Sequence, residues 1–477
     1  MQRMDTTAAQ SRLSLAQCLA WGAGGFADNL IAWTIVYLAM PIYNIALGVD
    51  PVVIGWAIAL PRLLDAIIDP LAGHWSDNFR SRWGRRKPFI LVGGGLSTLF
   101  FMATWFPPVG SSPKAAAVFF IVTTFLYLGL YAFFSIPYYA LGVELTTDYH
   151  ERTRVQSWRF FFAAIAQLAM PWFYKTAYWV GTHRPIANAE PEVAGIRYVG
   201  LAAGSLVLAI LVLIALCCRE PKCVQHQPYI RILDAFGWTF KNNAYVKLAL
   251  VTFSVLFGFF IVNPMALYLS IYYVCNGDKG LAATISGWSG TMVGILGVLA
   301  LAPLTALSHR FGKKQVLIGG QFVALLGFSS LWFLLTPEHP YWGIIPWIII
   351  APGQLAVWVI GSSISSDIID LDELETGCRR EGMYGAVTAM LNKWGVGLSS
   401  MLSGYIIVWS GFVNDVFPSA EVLWRMRVLY VSIPIAFVVL SLAISFTLPV
   451  SAKRMREVRE ILDRRHAEAE RQLTDAV

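Results

Sequence analysis

Two aspartates stand one helical turn apart inside an apolar segment, in the run Arg62-Leu-Leu-Asp65-Ala-Ile-Ile-Asp69. The segment covers about 51–72, and at about 1.5 Å per residue it is long enough to cross a bilayer. A spacing of four residues puts both carboxylates on one helix face, and Arg62 joins them there. Ionisable groups inside a membrane helix are costly, and they usually mark an ion or substrate path. The alternative is a structural ion pair between Arg62 and one acid, which accounts for only one carboxylate.

The composition indicates that membrane helices must hold these charges. Of 477 residues, 57% are hydrophobic and 14% are charged, against about 25% charged in soluble domains. Mean hydropathy is +0.58. Long apolar segments without strand-like alternation predict an all-α integral membrane protein rather than a β-barrel. The net charge of +7 fits basic loops facing the cytoplasm and does not indicate a nucleic-acid partner. Since no Cys/His spacing resembles a zinc site, we expect neither a metal nor a cofactor.

About twelve transmembrane spans are predicted, at 13–46, 50–78, 87–107, 114–145, 152–181, 196–218, 241–274, 281–307, 314–335, 341–371, 380–410 and 422–449. Basic residues cluster near 80–87, 152–154, 219–231, 309–314 and 379–380, and in the tail after 451. The opposite loops carry little positive charge. The positive-inside rule then places both termini in the cytoplasm, and we expect the chain in the plasma membrane, the inner membrane of a bacterium.

The chain also repeats itself. Arg82-Trp-Gly-Arg-Arg is echoed 228 residues later by Arg310-Phe-Gly-Lys-Lys, and the same offset relates Glu144 to Asp372. Two loops in one register indicate two parallel six-helix halves, the arrangement of transporters that bind substrate between their halves and rock about that site. The predicted divisions are an N-terminal half at 1–218, a cytoplasmic linker at 219–240, a C-terminal half at 241–450 and a tail at 451–477.

Charged residues at the cytoplasmic ends of the spans predict a conformational latch rather than a substrate site. Basic loops set orientation and meet acidic helix ends and anionic headgroups. The residues assigned to the latch are Glu144, expected near Arg152, and Asp372, expected near Arg379 and Arg380. In the tail, four apolar residues recur among many charges and predict a short amphipathic helix on the cytoplasmic surface: Met455, Val458, Ile461 and Leu462.

Longer stretches resemble a known family. Asp65-Ala-Ile-Ile-Asp-Pro-Leu-Ala-Gly73, followed by a basic loop, is similar to the glycoside–pentoside–hexuronide:cation symporters, melibiose-permease-like members of the major facilitator superfamily. Plant-type sucrose–proton symporters share a similar basic loop, so the resemblance holds for the family rather than for one member. Three further stretches match: Ser135-Ile-Pro-Tyr-Tyr139, Trp158-Arg-Phe-Phe161 and Ser366-Asp-Ile-Ile-Asp-Leu-Asp-Glu373.

The resemblance implies a cation site in span two. The family's two cation-binding acids match Asp65 and Asp69, but the asparagine before the second acid is replaced by Ile68. A span-four threonine and aspartate of the family's sodium shell are replaced by an alanine and by Ser135. Sodium needs several oxygen ligands, and two nearby carboxylates without a metal tend to share a proton, so proton coupling is favoured. Asn29, Ser135 or a backbone carbonyl could still supply ligands, which leaves sodium open.

The resemblance also implies a sugar site. The family's span-one acid, span-five arginine, span-ten tryptophan and span-eleven lysine match Asp28, Arg159, Trp358 and Lys393. Asp28 would accept hydrogen bonds from sugar hydroxyls, and Arg159 would donate to the same ring. Trp358 and Tyr139 would offer flat faces to the sugar, although Trp358 could equally serve membrane-interface packing. Lys393 would meet a carboxylate across the pocket.

These residues predict a secondary active symporter of a sugar or glycoside that works by alternating access, with a proton as the favoured coupling ion. Ser135 replaces an acid that grips galactosyl groups in the family, so another glycoside, a pentoside or a sugar acid is favoured over a galactoside. Arg159 and Lys393 would suit a carboxylate or sulfonate. We expect a monomer whose partners are a small sugar and the lipid bilayer, and no enzymatic activity. The alternatives are a sodium-coupled sugar symporter, a lysolipid or drug carrier on the same scaffold, and a membrane enzyme using Asp65 and Asp69.

Overall fold

The structure is a computed structural model that describes residues 13–146, 148–218, 220, 239–377, 380–414, 416–450 and 452–475. These residues form fourteen α-helices, some extended by short π-helical or 3₁₀ turns, and contain no β-strand. Within the described chain, nine helical segments are long and apolar enough to cross a membrane. The predicted all-α membrane fold is therefore confirmed. The fourteen helices agree with about twelve spans, because the fifth and sixth join into one span and the last is a tail helix.

Seven helices form the N-terminal half. A π-helical turn continues the first helix to Ile45, another leads into the third from Phe89, and a 3₁₀ turn at Met170–Trp172 joins the fifth and sixth into one span. The seven helices are α1 (Leu15–Ala39), α2 (Pro51–Asn78), α3 (Gly94–Thr104), α4 (Pro113–Glu144), α5 (Tyr149–Ala169), α6 (Phe173–His183) and α7 (Pro191–Cys217).

Seven more helices form the C-terminal half. A π-helical turn continues the first of them to Val274. They are α8 (Asn243–Tyr268), α9 (Lys279–Phe311), α10 (Lys313–Leu334), α11 (Ile345–Thr376), α12 (Glu381–Trp409), α13 (Ala420–Phe446) and the tail helix α14 (Ala452–Asp475). The predicted linker at 219–240 lies outside the described residues except for 220 and 239–240.

The chain divides into two compact units, one built from α1–α7 and the other from α8–α14. In the first unit, α1 packs against α5 and α7, α2 against α4, and α3 against α4 and α7. In the second, α8 packs against α12 and α13, α9 against α11, and α10 against α11 and α13. Because the six spans of each unit pair in the same order, the loop repeat seen in the sequence extends to the packing of the helices.

Glycines fix the turns of the two repeated basic loops. Gly84 has a φ of 107° and Gly312 a φ of 92°, a backbone region that side chains with a Cβ rarely adopt. A Cβ on Gly84 would also lie only 2.5 Å from the carboxyl carbon of Glu220. The Trp83-Gly84 and Phe311-Gly312 pairs of the two loops therefore both form turns in which the glycine has a positive φ.

The tail helix α14 packs against its own half. Met455, Val458 and Leu462 are buried in an apolar cluster with residues of α8 and α11, whereas Ile461 stays exposed. Arg465 donates to the carbonyl oxygen of Leu374 at 3.2 Å. The apolar stripe that predicts an amphipathic helix is therefore largely covered by protein.

Candidate functional site

Asp28 lies in the middle of α1 and is only 5% exposed. The hydroxyls of Tyr131 and Tyr139 on α4 donate to its two carboxylate oxygens, at 2.6 Å to Oδ1 and 2.5 Å to Oδ2. The two tyrosines share a face of α4 because they are two helical turns apart. The two hydroxyls therefore orient the carboxylate of Asp28, a group that only accepts hydrogen bonds when it is ionised.

Glycines of α1 let its neighbours approach Asp28. A Cβ on Gly25 would lie 2.5 Å from the carbonyl oxygen of Arg159, and a Cβ on Gly24 would lie 2.3 Å from the ring of Tyr138. The backbones of α1 and α5 can therefore pack closely at the turn that precedes Asp28.

Arg159 is oriented towards the same site. Its Nε donates to Gln156 Oε1 at 3.0 Å, and its Cζ lies 5.1 Å from the ring centre of Tyr139. Since the hydroxyl of Tyr139 binds Asp28, the structure brings Asp28, Tyr139 and Arg159 together. Part of the tyrosine face predicted to stack on a sugar is in contact with the guanidinium of Arg159.

The charged face of α2 forms a second cluster in the same half. Arg62 Nη1 lies 3.6 Å from Asp65 Oδ2, and both side chains are buried. Arg62 Nη2 donates to the carbonyl oxygen of Ala32 on α1 at 3.1 Å. Asp69 lies one turn further along α2 and is half-buried. The ion pair considered as an alternative for this motif is thus present, with a second carboxylate beside it.

Ser135 lies between the two tyrosines on the same face of α4. It is buried, and its Oγ has no hydrogen-bond partner among the described residues. A buried hydroxyl without a partner costs free energy, so it suits a site that a ligand or ion completes. The described residues contain no group of three or more His, Cys, Asp or Glu side chains arranged to hold a metal ion.

Two predicted sugar-site residues belong to the C-terminal half. Trp358 lies on α11 with 43% of its surface exposed. Lys393 lies near the middle of α12 and is half-buried. An exposed tryptophan and a mid-helix lysine are compatible with ligand contact, and their roles stay predictions.

The residues assigned to a latch have other neighbours than the sequence suggested. Glu144, expected near Arg152, instead binds Arg85 and Arg86 of the basic loop, with Arg86 Nη2 at 2.7 Å from its Oε1. Arg86 Nη2 also lies 2.8 Å from Asp77 Oδ1. The exposed Arg152 donates to the carbonyl oxygen of Thr146 at 3.0 Å. The basic loop folds back onto the end of α4, so Glu144 pairs with arginines that are distant in sequence rather than with Arg152.

In the C-terminal half, the predicted latch residues are described only in part. Asp372 is buried near the end of α11 and forms a side-chain hydrogen bond with Tyr384. Arg380 is the residue that immediately precedes α12. Arg379 lies outside the described residues.

Two sets of interactions with buried or partly buried carboxylates were not predicted from the sequence. Glu220 accepts hydrogen bonds from the backbone N–H groups of Arg85, Arg86 and Lys87, at 2.7, 3.0 and 2.9 Å. In the other half, buried Asp367 binds Lys313 at 2.7 Å and Arg459 of the tail helix at 2.8 Å. Glu220 thus accepts hydrogen bonds from backbone N–H groups at the start of the span that contains α3, where such groups have no partner within the helix. Asp367 connects the tail helix to the second basic loop.

Comparison with known proteins agrees with this architecture. A family model described as MFS/sugar transport protein matches residues 20–452. An uncharacterized symporter of Synechocystis sp. is 24% identical, over 97% of this chain and 99% of its own. A glucuronide carrier protein homolog of Escherichia coli K12 is also 24% identical, over 97% and 99% of the two chains.

Among solved structures, a bacterial homolog of the human lysosomal transporter Spinster, in an inward-facing conformation, has a TM-score of 0.64 at 15% identity. The match covers 91% of this chain and 95% of that one, and at this identity it supports the fold alone. The match to the family model covers most of the chain and supports a membrane transporter rather than an enzyme. The chain belongs to the MFS/sugar transport family, among the glycoside–pentoside–hexuronide:cation symporters of the major facilitator superfamily.

Proposed function

We propose that the protein is a cation-coupled symporter of a glycoside and that a sugar acid is its preferred substrate class. The observation that carries this proposal is the arrangement of Asp28 in the middle of α1. Two tyrosine hydroxyls orient its carboxylate, and Arg159 lies against one of those tyrosines. An acceptor and a planar donor that contact the same tyrosine can bind neighbouring hydroxyl and carboxylate groups of one sugar ring.

The preference for an acid rests on charge. Arg159 is permanently charged, and its planar fork can bind a carboxylate with two parallel hydrogen bonds. Lys393 in the C-terminal half is proposed as a second cation for the substrate. One relative carries the name glucuronide carrier protein homolog, which supports a glucuronide as the first substrate to test.

Asp65 and Asp69 are proposed to bind the coupling cation, with Ser135 as a further oxygen. The three side chains offer at most five oxygens to a sodium ion, and Arg62 already lies against Asp65, whereas a proton needs only one oxygen. Two close carboxylates can hold a shared proton because their like charges disfavour double ionisation. A proton is therefore the proposed coupling ion, and sodium is the alternative that the experiment must distinguish.

Counterflow in proteoliposomes tests the substrate proposal. Vesicles preloaded with methyl β-D-glucuronide should transiently take up the radiolabelled form, and they should take up neutral methyl β-D-glucoside more slowly. The two sugars differ only in the carboxylate, so they are a matched pair. Counterflow of neither sugar would contradict the proposal, and faster counterflow of the glucoside would contradict the preference for an acid.

Imposed ion gradients test the coupling. An inward proton gradient should drive accumulation of the glucuronide above its external concentration at constant sodium. An inward sodium gradient at constant pH should add little. Accumulation that follows sodium and ignores the proton gradient would replace the proton by sodium as the coupling ion.

A further inference from the structure

Arg62 contacts three helices of the N-terminal half at once. Its Nη1 lies 3.6 Å from Asp65 on its own helix α2, and its Nη2 donates to the carbonyl of Ala32 on α1 at 3.1 Å. Its Cζ lies 5.5 Å from the ring centre of Tyr131 on α4. Ala32 follows Asp28 by one helical turn, so the guanidinium lies beside the part of α1 that carries Asp28, the candidate sugar-binding residue.

Tyr131 connects Arg62 to Asp28. Its ring faces the guanidinium, and its hydroxyl donates to Asp28 Oδ1 at 2.6 Å. Arg62 is therefore connected to Asp28, the candidate sugar-binding residue, through two contacts. It is connected to Asp65, the candidate cation-binding residue, through one contact. All four side chains are buried, so their interactions are screened much less than those of surface charges.

The charges of this cluster suit the binding of one monovalent cation. Asp65 lies 3.6 Å from Arg62, and Asp69 follows Asp65 by one turn on the same face of α2. Arg62 stays protonated at all physiological pH values, so with both aspartates ionised these three charged residues carry one net negative charge. One proton or sodium ion would bring them to neutrality, and it would compete with Arg62 for the carboxylate of Asp65.

We propose that Arg62 is a positioning residue that transmits occupancy of the Asp65 cation site to Asp28 through Tyr131. This inference rests on the symport function proposed above. A cation on Asp65 neutralises the carboxylate and weakens its attraction for the guanidinium. Arg62 then interacts more strongly with the face of Tyr131, which polarises the phenol and strengthens its hydroxyl as a donor to Asp28. Asp28 becomes more firmly oriented, so cation binding raises the affinity for sugar.

The test is the cation dependence of sugar affinity in purified protein. Calorimetry gives the Kd of methyl β-D-glucuronide at low and high pH, and with and without sodium. In the unsubstituted protein the favourable cation should tighten binding about tenfold, within the usual range of coupling between two sites. Arg62→Gln should still bind the sugar, with a ratio of the two Kd values near one. Arg62→Lys should restore part of the ratio because it keeps a cation near the ring.

Two tyrosine variants make the test independent of how well Arg62 variants fold. Tyr131→Phe keeps the ring beside Arg62 but removes the hydroxyl that reaches Asp28, so its ratio should also fall to about one. Tyr139→Phe is the matched control, because it removes the other hydroxyl on Asp28, which lies against Arg159. It should weaken sugar binding in both cation states and keep the ratio.

The outcomes separate this inference from the function on which it rests. If Arg62→Gln or Tyr131→Phe keeps the cation-dependent ratio of the unsubstituted protein, the relay is wrong while symport stands. If the unsubstituted protein binds the glucuronide in no cation state, the proposed symport of a sugar acid fails, and the relay fails with it.

Discussion

The two halves of the molecule place their buried charges differently. In the N-terminal half, Arg86 and Glu192 are buried in a loop and at a helix start, but Asp28, Arg62 and Asp65 lie near the middle of their helices. In the described part of the C-terminal half, the buried charged residues are Asp367, Asp372 and Glu373, all in the last three turns of α11. A charge near a helix end lies close to headgroups and water, whereas one at mid-helix must be desolvated and paired.

The C-terminal half also contains a buried network of neutral hydrogen bonds. Gln321 on α10 donates to the hydroxyls of Ser441 and Ser445 on α13, at 2.9 and 3.0 Å. Ser441 in turn donates to the carbonyl oxygen of Val251 on α8 at 3.0 Å. Such bonds hold helices together without a charge that an ion or substrate could neutralise. The contrast supports an assignment of coupling chemistry to the N-terminal half, with helix-end ties in the C-terminal half.

The largest effect is expected from Asp28→Ala. It leaves two tyrosine hydroxyls without their acceptor and removes the proposed acceptor for sugar hydroxyls. Removing one partner of a buried charged hydrogen bond costs about 2–5 kcal/mol, so calorimetry should show a loss of roughly thirty-fold or more in affinity for methyl β-D-glucuronide. Asp278→Ala, which removes the exposed N-cap carboxylate of α9, is the control and should bind normally. An unchanged affinity in Asp28→Ala would remove Asp28 from the sugar site.

A smaller effect is expected from Trp358→Ala in the C-terminal half. Only an apolar face is lost, and aromatic contacts contribute about 0.5–1.5 kcal/mol beyond the area they bury. The affinity for the same sugar should therefore fall about tenfold or less. Trp409→Ala, at the exposed end of α12, serves as the tryptophan control. A loss as large as that of Asp28→Ala would contradict the division of roles between the halves, and no loss would assign Trp358 to helix packing.

The smallest effect is expected from Arg459→Ala in the tail helix. Arg459 is 56% exposed, and Asp367 keeps Lys313 at 2.7 Å after the change. The free energy of unfolding should fall by less than about 1 kcal/mol, as for exposed ion pairs. Asp367→Asn should destabilise the protein more, because both cations then lose the same carboxylate. Thermal denaturation of the purified variants measures both, and a larger loss for Arg459→Ala than for Asp367→Asn would contradict this account of the cluster.

The sequence reveals the charged residues of the site better than their partners. Asp28, Asp65 and Asp69 stand out because each interrupts an apolar run. Tyr131 was not singled out, although it precedes Ser135 by four residues and so shares its helix face, a signal that was available. The hydroxyl of Tyr139 was missed because the residue was read only as a flat surface. Which aromatic side chain binds Asp28 depends on how α1 and α4 pack, and a one-dimensional pattern does not contain that packing.

The helix-end contacts were harder to predict for a different reason. Glu144 was expected near Arg152 because the two are close in the chain, but the basic loop supplies its partners. Glu220 binds backbone N–H groups. Every residue except proline has such a group, so the residue types do not indicate this contact. The repeat also has limits as a guide, since Lys313 binds Asp367 rather than Asp372, the residue that matches Glu144 at the common offset. The lengths of the apolar segments and the charges of the loops, by contrast, were enough to predict about twelve spans.

The central claim is that the N-terminal half couples a cation on Asp65 to sugar movement. Proteoliposomes containing Asp65→Asn should show counterflow of methyl β-D-glucuronide but no uphill accumulation under any imposed proton or sodium gradient, whereas the unsubstituted protein should show both. The substitution removes the charge and keeps the shape of the site, so exchange without coupling is the predicted result. Uphill accumulation at the unsubstituted level in Asp65→Asn, and again in Asp69→Asn, would contradict the assignment of α2 to the coupling cation.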